Sequence, residues 1–491
     1  MDYGVLLSTY ERAAAPGKAE GAARPSQQHR LYACLRAAIL SGQIEEGTRL
    51  APSRSLAEEL DIARNSVLYA YEQLAAEGFV SSRRQGTVVA RVGLQQAPVR
   101  AAEVAPRLSR RVASLERPSA EMNDLLPFLP GTPALDAFPL PQWRRCMERA
   151  WRRVGPGHLG YGSVEGNAAL RQAVAEYLRI SRGVRCDAAQ VFITEGTQNS
   201  LDLCARTLAD AGDIAWIENP GYYGARAAFQ AADLRLAPID VDADGLAPRG
   251  EDWRNATPRL IYITPSHQYP LGAVMSLERR LALIQQARAA GAWIIEDDYD
   301  SEFRHSGAPL SAVQGLAADA PVVYLGTFSK VLFPALRLGY MVVPPALAPV
   351  LRKAAGAVML RGRVAEQLAL AEFIEAGHFT RHLRRMRRLY GERRDALQAA
   401  IEQHLAGLVT VSGGAGGMHL SARLDAPARD TEVSRVAREH GMVLRPLSRF
   451  CLPGTLTAQY NGLVLGYGNV AADAMDGLVM RMRDVIESVM G

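Results

Sequence analysis

Short, nearly continuous apolar runs separated by longer stretches of helical period fill the chain from Asn123 onward. VFIT (191–194), IAWIE (214–218), LIYIT (260–264), WIIED (293–297), VVYLGT (322–327) and YMVVP (340–344) read as strands buried on both faces. Helical stretches lie between several of them, among them Asn199–Leu208 and Ser276–Ala290. Strands alternating with helices predict an α/β domain with a mostly parallel sheet. Ligands of such a sheet collect beyond the carboxyl ends of its strands.

The first hundred residues carry another pattern. Residues 1–25 are rich in Ala, Gly and charge and are expected to be loose. Leu31, Leu35, Ala38 and Ile39 recur at helical spacing within Arg30–Leu40, which Ser41 and Gly42 end. Ser53 is placed to cap a short helix over Arg54–Leu60, and Asp61–Arg64 form a tight turn. Asn65 or Ser66 then starts a second helix with Val67, Tyr71 and Leu74 on one face. Phe79–Arg91 divides into two short strands around Arg83, Arg84, Gln85 and Gly86, a wing. Two short helices on a tight turn place the second for the DNA major groove. Residues 92–121 lack periodicity and read as a linker. The expected domains are therefore 26–91 and 122–491.

Composition narrows this picture without redirecting it. At 491 residues the chain exceeds one domain, and 48% hydrophobic with 22% charged residues describes a globular protein with a large core. No apolar run reaches the ~18 residues of a membrane span, and the N-terminus lacks an export signal. Cys34, Cys146, Cys186, Cys204 and Cys451 are scattered and odd in number, so reduced thiols in a cytoplasmic protein are expected, with no disulfide frame and no metal site. The net charge of +5 permits nucleic-acid binding without arguing for it. Residues 26–91 hold eight arginines, no lysines and seven acidic residues. DNA affinity there must come from clustering of Arg54, Arg64, Arg83, Arg84 and Arg91.

The chemistry concentrates at Tyr324–Tyr340, YLGTFSKVLFPALRLGY. A lysine ending an apolar strand, Lys330, is costly to hold charged, and that cost frees its amine to condense with an aldehyde. Thr327, Ser329 and Arg337 beside it are donors suited to a phosphate. Amine and phosphate donors together describe a pyridoxal 5'-phosphate (PLP) site. Gly196, Thr197 and Gln198 open a helix after the first strand, where backbone N–H groups cradle phosphate. Tyr222 and Tyr223 follow the second strand and offer a face for a flat ring. Asp297 ends the WIIED strand, and an aspartate against a pyridine nitrogen keeps it protonated.

Two family resemblances follow from these residues. GxIxxGxxLxPSRxLAxxLxxxRNSVxxAYxxLxxEGFV, closed by GTVV, resembles the winged helix-turn-helix of GntR-type repressors. It implies DNA contacts from Arg54, Arg64, Asn65, Ser66, Arg83, Arg84 and Thr87. DDYDSEFR followed by GTFSK resembles the fold-type I aminotransferases. That resemblance implies Lys330 as the Schiff-base lysine, Asp297 as the pyridinium partner and Tyr299 as the partner of the ring oxygen. The family's Asn-Pro-x-Gly is Tyr269-Pro270-Leu271-Gly272 here, leaving His267 or Gln268 to replace the asparagine. The fusion, with TPSHQYP and PLSRF (446–450), resembles the MocR-type regulators. It implies a transcription factor sensing PLP or an amino compound by exchange at Lys330, and a head-to-tail homodimer. It also implies that Arg449 holds an effector carboxylate. A working aminotransferase with a DNA-binding appendage is the alternative.

Overall fold

Leu31, Leu35, Ala38 and Ile39 form the buried stripe of α2 (Gln27–Leu40), as their spacing predicts. They pack with Leu56 and Ala57 of α3 (Ser53–Glu59) and with Val67, Ala70, Tyr71 and Leu74 of α4 (Arg64–Ala76). Strands β1 (Val80–Arg83) and β2 (Gly86–Val89) pair antiparallel as the wing. This computed structural model describes residues 1–13, 25–83, 86–91, 108–113, 115, 125–305, 307, 310–358, 362–425, 427–455 and 457–490. It divides into two units, Met1–Arg107 and Leu108–Gly491.

Three expectations for the first unit are corrected. The start of the chain is helical, not loose: α1 spans Tyr3–Ala13. Its anchor is Tyr3, buried in the winged-helix core, whose hydroxyl accepts from the Ala51 N–H at 3.1 Å. The Tyr3 N–H donates to Glu59 at 2.8 Å, and Glu11 pairs with Arg30. Ser53 does not cap α3. Pro52 occupies the cap position, Ser53 is the first helical residue, and the Ser53 hydroxyl accepts from Arg64 Nε at 3.3 Å. Finally, α4 begins at Arg64 instead of one or two residues later. The preceding turn passes through Asp61 at φ 49°, a conformation Asp tolerates better than most residues.

In the second unit the apolar runs form β3 (Val191–Thr194), β4 (Ile214–Asn219), β5 (Arg235–Asp242), β6 (Gly245–Leu246), β7 (Leu260–Ile263), β8 (Trp293–Asp298), β9 (Val322–Thr327) and β10 (Gly339–Val342). Their order in one sheet is β3-β10-β9-β8-β7-β4-β5-β6. Strands β5, β4, β7, β8 and β9 are mutually parallel, while β10 runs antiparallel to both neighbours. The buried pattern of β8 and β9 follows from helices lying on both faces.

The helices used below are α5 (Leu140–Arg153), α6 (Ala168–Arg182), α7 (Thr197–Leu208), α8 (Tyr223–Ala231), α9 (Leu277–Ala290), α10 (Ala348–Val358), α11 (Val364–Glu375) and α12 (His378–His404). α9 has the ends its sequence announces: Ser276 accepts from the Arg279 N–H, and Gly291 closes it at φ 65°. A smaller antiparallel sheet, β11 (Val409–Gly413), β12 (His419–Leu424), β13 (Arg445–Pro446) and β14 (Gly462–Gly466), has order β11-β12-β14-β13 and completes the unit with α13 (Asp430–Glu439) and α14 (Met475–Met490). Among the described residues no helix is long and apolar enough to cross a membrane.

Candidate functional site

The parallel strands deliver their chemistry to one edge. Register sets Asp297 beside Leu325 and Asp298 beside Gly326, so β8 and β9 end together. β10 begins opposite both Thr327 and Thr194. A Cβ on Gly339 would lie 2.8 Å from the Gly196 Cα and 2.9 Å from the Gly326 carbonyl. Only glycine lets the start of α7 approach the end of β9 so closely. Gly196, Thr197 and Gln198 are thus brought next to Thr327 and Ser329. Gly196 (φ 95°) has open space where its Cβ would stand, and Gln198 donates to the Gly224 carbonyl at 3.1 Å. The Ser329 N–H donates to Thr327 Oγ1 at 3.2 Å. Arg337 is exposed, its N–H closes the preceding 3-10 turn on the Pro334 carbonyl, and its side chain makes no hydrogen bond or ion pair among the described residues.

Lys330 follows β9, and its amine donates to the Gly131 carbonyl at 2.9 Å. A Cβ on Gly131 (φ 75°) would sit 2.6 Å from that nitrogen. Burial lowers the proton affinity of Lys330, and Asp300 and Asp297 pull it partly back. Asp297 is 3% exposed. Its Oδ2 accepts from the Tyr262 hydroxyl at 2.8 Å, whereas its Oδ1 is buried with no partner. Burial pushes its carboxyl up to about 7, opposed by Tyr262 and Lys330 and aided by Asp298 and Asp300. The Tyr222 phenol is raised by burial and by Tyr223, then Asp297, and lowered by Arg337, so it lies within reach of both ends of the site. Its ring is 5.2 Å from Tyr223 and 6.0 Å from Tyr269.

The remaining side is a closed polar group. The Tyr299 hydroxyl donates to the His267 carbonyl at 2.9 Å and lies 3.1 Å from His267 Nδ1. His267 Nδ1 is also 3.1 Å from both Asp300 oxygens, and its Nε2 is buried with no partner. His419 donates from Nε2 to the Pro270 carbonyl. Donor atoms of His267, Asp300 and His419 come within 4.8 Å of one another, with His267 Nδ1 paired to Asp300 and His419 Nε2 bonded to the Pro270 carbonyl. Gln268 is spent elsewhere: its amide donates to Glu218, the Pro220 carbonyl and the Tyr269 carbonyl, and its oxygen accepts from Leu271. His267, by contrast, keeps its Nε2 buried and without a partner.

Arg449 is exposed on a short 3-10 turn, Leu447–Phe450. Burial raises the Tyr223 and Tyr269 phenols, and the charge of half-buried Arg445 opposes that rise in both. Arg226 is buried and donates to the Cys451 carbonyl at 3.2 Å. Sequence reasoning missed Gly131, Tyr262 and the Arg182–Asp298 pair. Tyr262 could have been found, since a lone hydroxyl in a central strand needs a partner.

In the winged helix, Arg54 is exposed on α3, and Arg64 and Asn65 are exposed at the start of α4. Ser66 and Thr87 are half-buried. The Arg83 side chain and Arg84 lie outside the described residues. Arg49, which the pattern did not single out, is exposed with its guanidinium against Gly86 of the wing; a Cβ there would meet its Nε at 2.8 Å.

Comparison with known proteins joins the two halves. Residues 27–89 match the bacterial regulatory proteins of the gntR family, and residues 131–463 match aminotransferase class I and II. The chain is 42% identical to the probable rhizopine catabolism regulatory protein MocR of Rhizobium meliloti, over 91% of this chain and 90% of the relative. The chain belongs to the MocR-type subfamily of GntR-like regulators. The pyridoxine biosynthesis regulator PdxR of Corynebacterium glutamicum is 31% identical, over 92% of this chain and 94% of that one. Among solved structures, the α-aminoadipate aminotransferase LysN of Thermus thermophilus, complexed with N-(5'-phosphopyridoxyl)-L-leucine, has a TM-score of 0.71 at 28% identity, covering 78% of this chain and 97% of that one. The fold is a GntR-type winged helix plus a fold-type I aminotransferase-like unit.

The residues at the strand ends fit PLP. The decisive observation is the unpartnered buried Asp297 Oδ1, an acceptor lacking a donor beside a lysine amine and an open helix start. A prediction follows from its carboxyl. The folded state holds the Asp297 proton up to about 7, against 3.8 ordinarily. Ionising Asp297 therefore costs folding stability increasingly between those values, and the full cost applies above 7. Without cofactor, Asp297→Asn should gain melting temperature over wild type at pH 8, keep only part of that gain at pH 5 and lose it as the pH falls below 3.8. The same variant should bind PLP more weakly at pH 8 and at pH 5. Equal melting curves at pH 8 would sink the assignment of a strained carboxylate.

Proposed function

We propose that this MocR-type chain is a transcriptional regulator that binds operator DNA through its winged helix. It senses PLP, or an amino compound combining with PLP, at Lys330. The carrying observation is the fusion itself: a lysine, an aspartate and phosphate donors at the strand ends lie in one chain with a GntR-type helix pair whose arginines are exposed. When bound, PLP supplies an aldehyde that a primary amine engages reversibly, and a ring that draws electrons. Lys330 would meet the aldehyde, and Asp297 would hold a proton on the ring nitrogen. Tyr222 and Tyr223 would cover the ring, Tyr299 and His267 would face its oxygen, and Gly196, Thr197, Gln198, Thr327, Ser329 and Arg337 would bind the phosphate.

For the effector carboxylate Arg445 is the first candidate and Arg449 the second: Arg445 is half-buried and its charge opposes the burial-raised Tyr223 and Tyr269 phenols, whereas Arg449 is exposed. On the DNA side, Arg54, Arg64, Asn65, Ser66 and Thr87 present contacts, with Arg49 added at the wing. The assembly in this reading is a head-to-tail homodimer in the cytoplasm. Leu159 and Tyr161, 74% and 89% exposed on one loop, offer apolar area for a second copy.

The test is binding of the full chain to the DNA upstream of its own gene, titrated with PLP and then with single amino acids. At least one amino compound should shift operator affinity by about 5-fold or more, the usual lower bound of allosteric coupling. Arg445→Ala should raise the concentration of that compound needed by about 10-fold or more, from loss of a charge-assisted bond. Arg449→Ala should leave it unchanged. Keto acid formed catalytically, with DNA binding indifferent to every amine, would establish the transaminase alternative.

A further inference from the structure

Away from the strand ends, two helices of the large unit carry arginine with little acidic counterweight. α5 holds Arg144, Arg145, Arg149, Arg152 and Arg153 against Glu148 alone. The start of α12, residues 378–388, holds Arg381, Arg384, Arg385, Arg387 and Arg388 and no acid. Helical spacing sorts them into lines: Arg145, Arg149 and Arg152 fall along one side of α5, and Arg381, Arg384, Arg385 and Arg388 along one side of α12. Phe379, His382, Leu383 and Met386 take the opposite side of α12 into the core, so its arginine line faces out. All members of both lines are exposed except the half-buried Arg149.

Packing through α11 brings the lines together. Glu372 pairs with Arg149 and, at 3.7 Å, with Arg153. The next residue, Phe373, has its ring 5.8 Å from Trp143 of α5 and 5.5 Å from His378 of α12. Arg381 Nη2 lies 2.7 Å from His378 Nδ1. His378 is lowered by burial and then by Arg381, Arg149 and Arg145, which agrees with arginines arriving from both helices. Glu372 offsets part of this charge, and a positive excess remains.

We propose that this arginine face binds the phosphate backbone of duplex DNA beyond the stretch gripped by the winged helix, an inference that rests on the DNA-binding reading above. Charge balance selects this partner. The winged helix has eight arginines against seven acids over 26–91, so its phosphate contacts rest on a few clustered arginines, and a second, acid-poor arginine face would add phosphate contacts and salt dependence to theirs. Each line spans about 10 Å from its first residue to the seventh after it, long enough to follow several phosphates of one strand. Trp151, 60% exposed on α5 but off its arginine line, makes a protein partner the competing outcome.

The experiment uses the full chain and its Arg152→Ala/Arg384→Ala/Arg385→Ala/Arg388→Ala variant. None of these four side chains makes a hydrogen bond or ion pair among the described residues. Dissociation constants are measured against salt on two duplexes from the upstream region, one just covering the operator and one extending past it on both sides. On the long duplex the variant should lose about 0.9 in the slope of log K against log salt for each phosphate contact removed, and affinity should fall about 10-fold or more. The short duplex should be bound as before. An unchanged slope on the long duplex overturns the proposal. Equal loss on both duplexes with an altered sedimentation coefficient also overturns it, by making the face a protein interface. Wild-type protein that binds neither duplex overturns the functional reading as well, and is told apart from the first outcome by the wild-type data alone.

Discussion

Lys330→Ala should abolish the visible absorption that wild-type protein acquires with PLP, and the cofactor should then wash out on gel filtration. Among the described residues the amine is the one primary amine at these strand ends, held 2.9 Å from the Gly131 carbonyl where nothing larger than glycine fits. Burial lowers its proton affinity, which eases the loss of the proton that must leave before the amine can attack a carbonyl carbon. Folding should hardly suffer. Removing the amine leaves one carbonyl without its donor, about 1–3 kcal/mol, but also relieves the burial of an ammonium. Operator binding without effector should be unchanged, and the response to amino compounds should be lost. A variant that keeps the absorption, or a PLP-saturated wild type that never shows it, would remove Lys330 from the mechanism.

How much of this was legible from residue order depends on the range of the interaction. β9 is found at the bounds its apolar run predicts, Val322–Thr327, because a strand buried on both faces writes its burial directly into its composition. The approach of α7 to β9 was visible only as isolated glycines, since Gly196 and Gly339 meet through the sheet and not through the chain. α1 was missed for the same reason. Its own sequence is unremarkable, and Tyr3 becomes an anchor only against Ala51 and Glu59. Arg449 and Arg445 are four residues apart in one motif, yet a two-residue strand followed by a 3-10 turn sends one outward and leaves the other beside the tyrosines. No helical or strand period could have ordered them.

The largest stability effect should come from a pair that touches no ligand. Arg182 ends α6 and is buried against Asp298, the neighbour of Asp297 on β8; both side chains are 3% exposed. Arg182 Nε donates to Asp298 Oδ2 at 2.7 Å, its Nη2 donates to Ser266 at 2.7 Å, and its Nη1 donates to the Leu310 carbonyl. The Tyr324 hydroxyl donates to the same Asp298 oxygen at 2.6 Å. One guanidinium thus ties α6 to the end of β8, which carries Asp297, and to the loops after β7 and before β9. Arg182→Ala removes the counter-charge and leaves Asp298 buried beside a void, at a cost of about 3–5 kcal/mol. The double variant Arg182→Met/Asp298→Asn keeps an acceptor for Tyr324, fills the void and buries no charge. It should recover most of the loss, because a buried ion pair is often worth no more than an apolar one of like volume. Denaturant midpoints of the second unit's transition measure both. An Arg182→Ala shift equivalent to less than about 1 kcal/mol would mean that water reaches Asp298, and the dry, tightly tied strand end on which the raised Asp297 carboxyl depends would not exist.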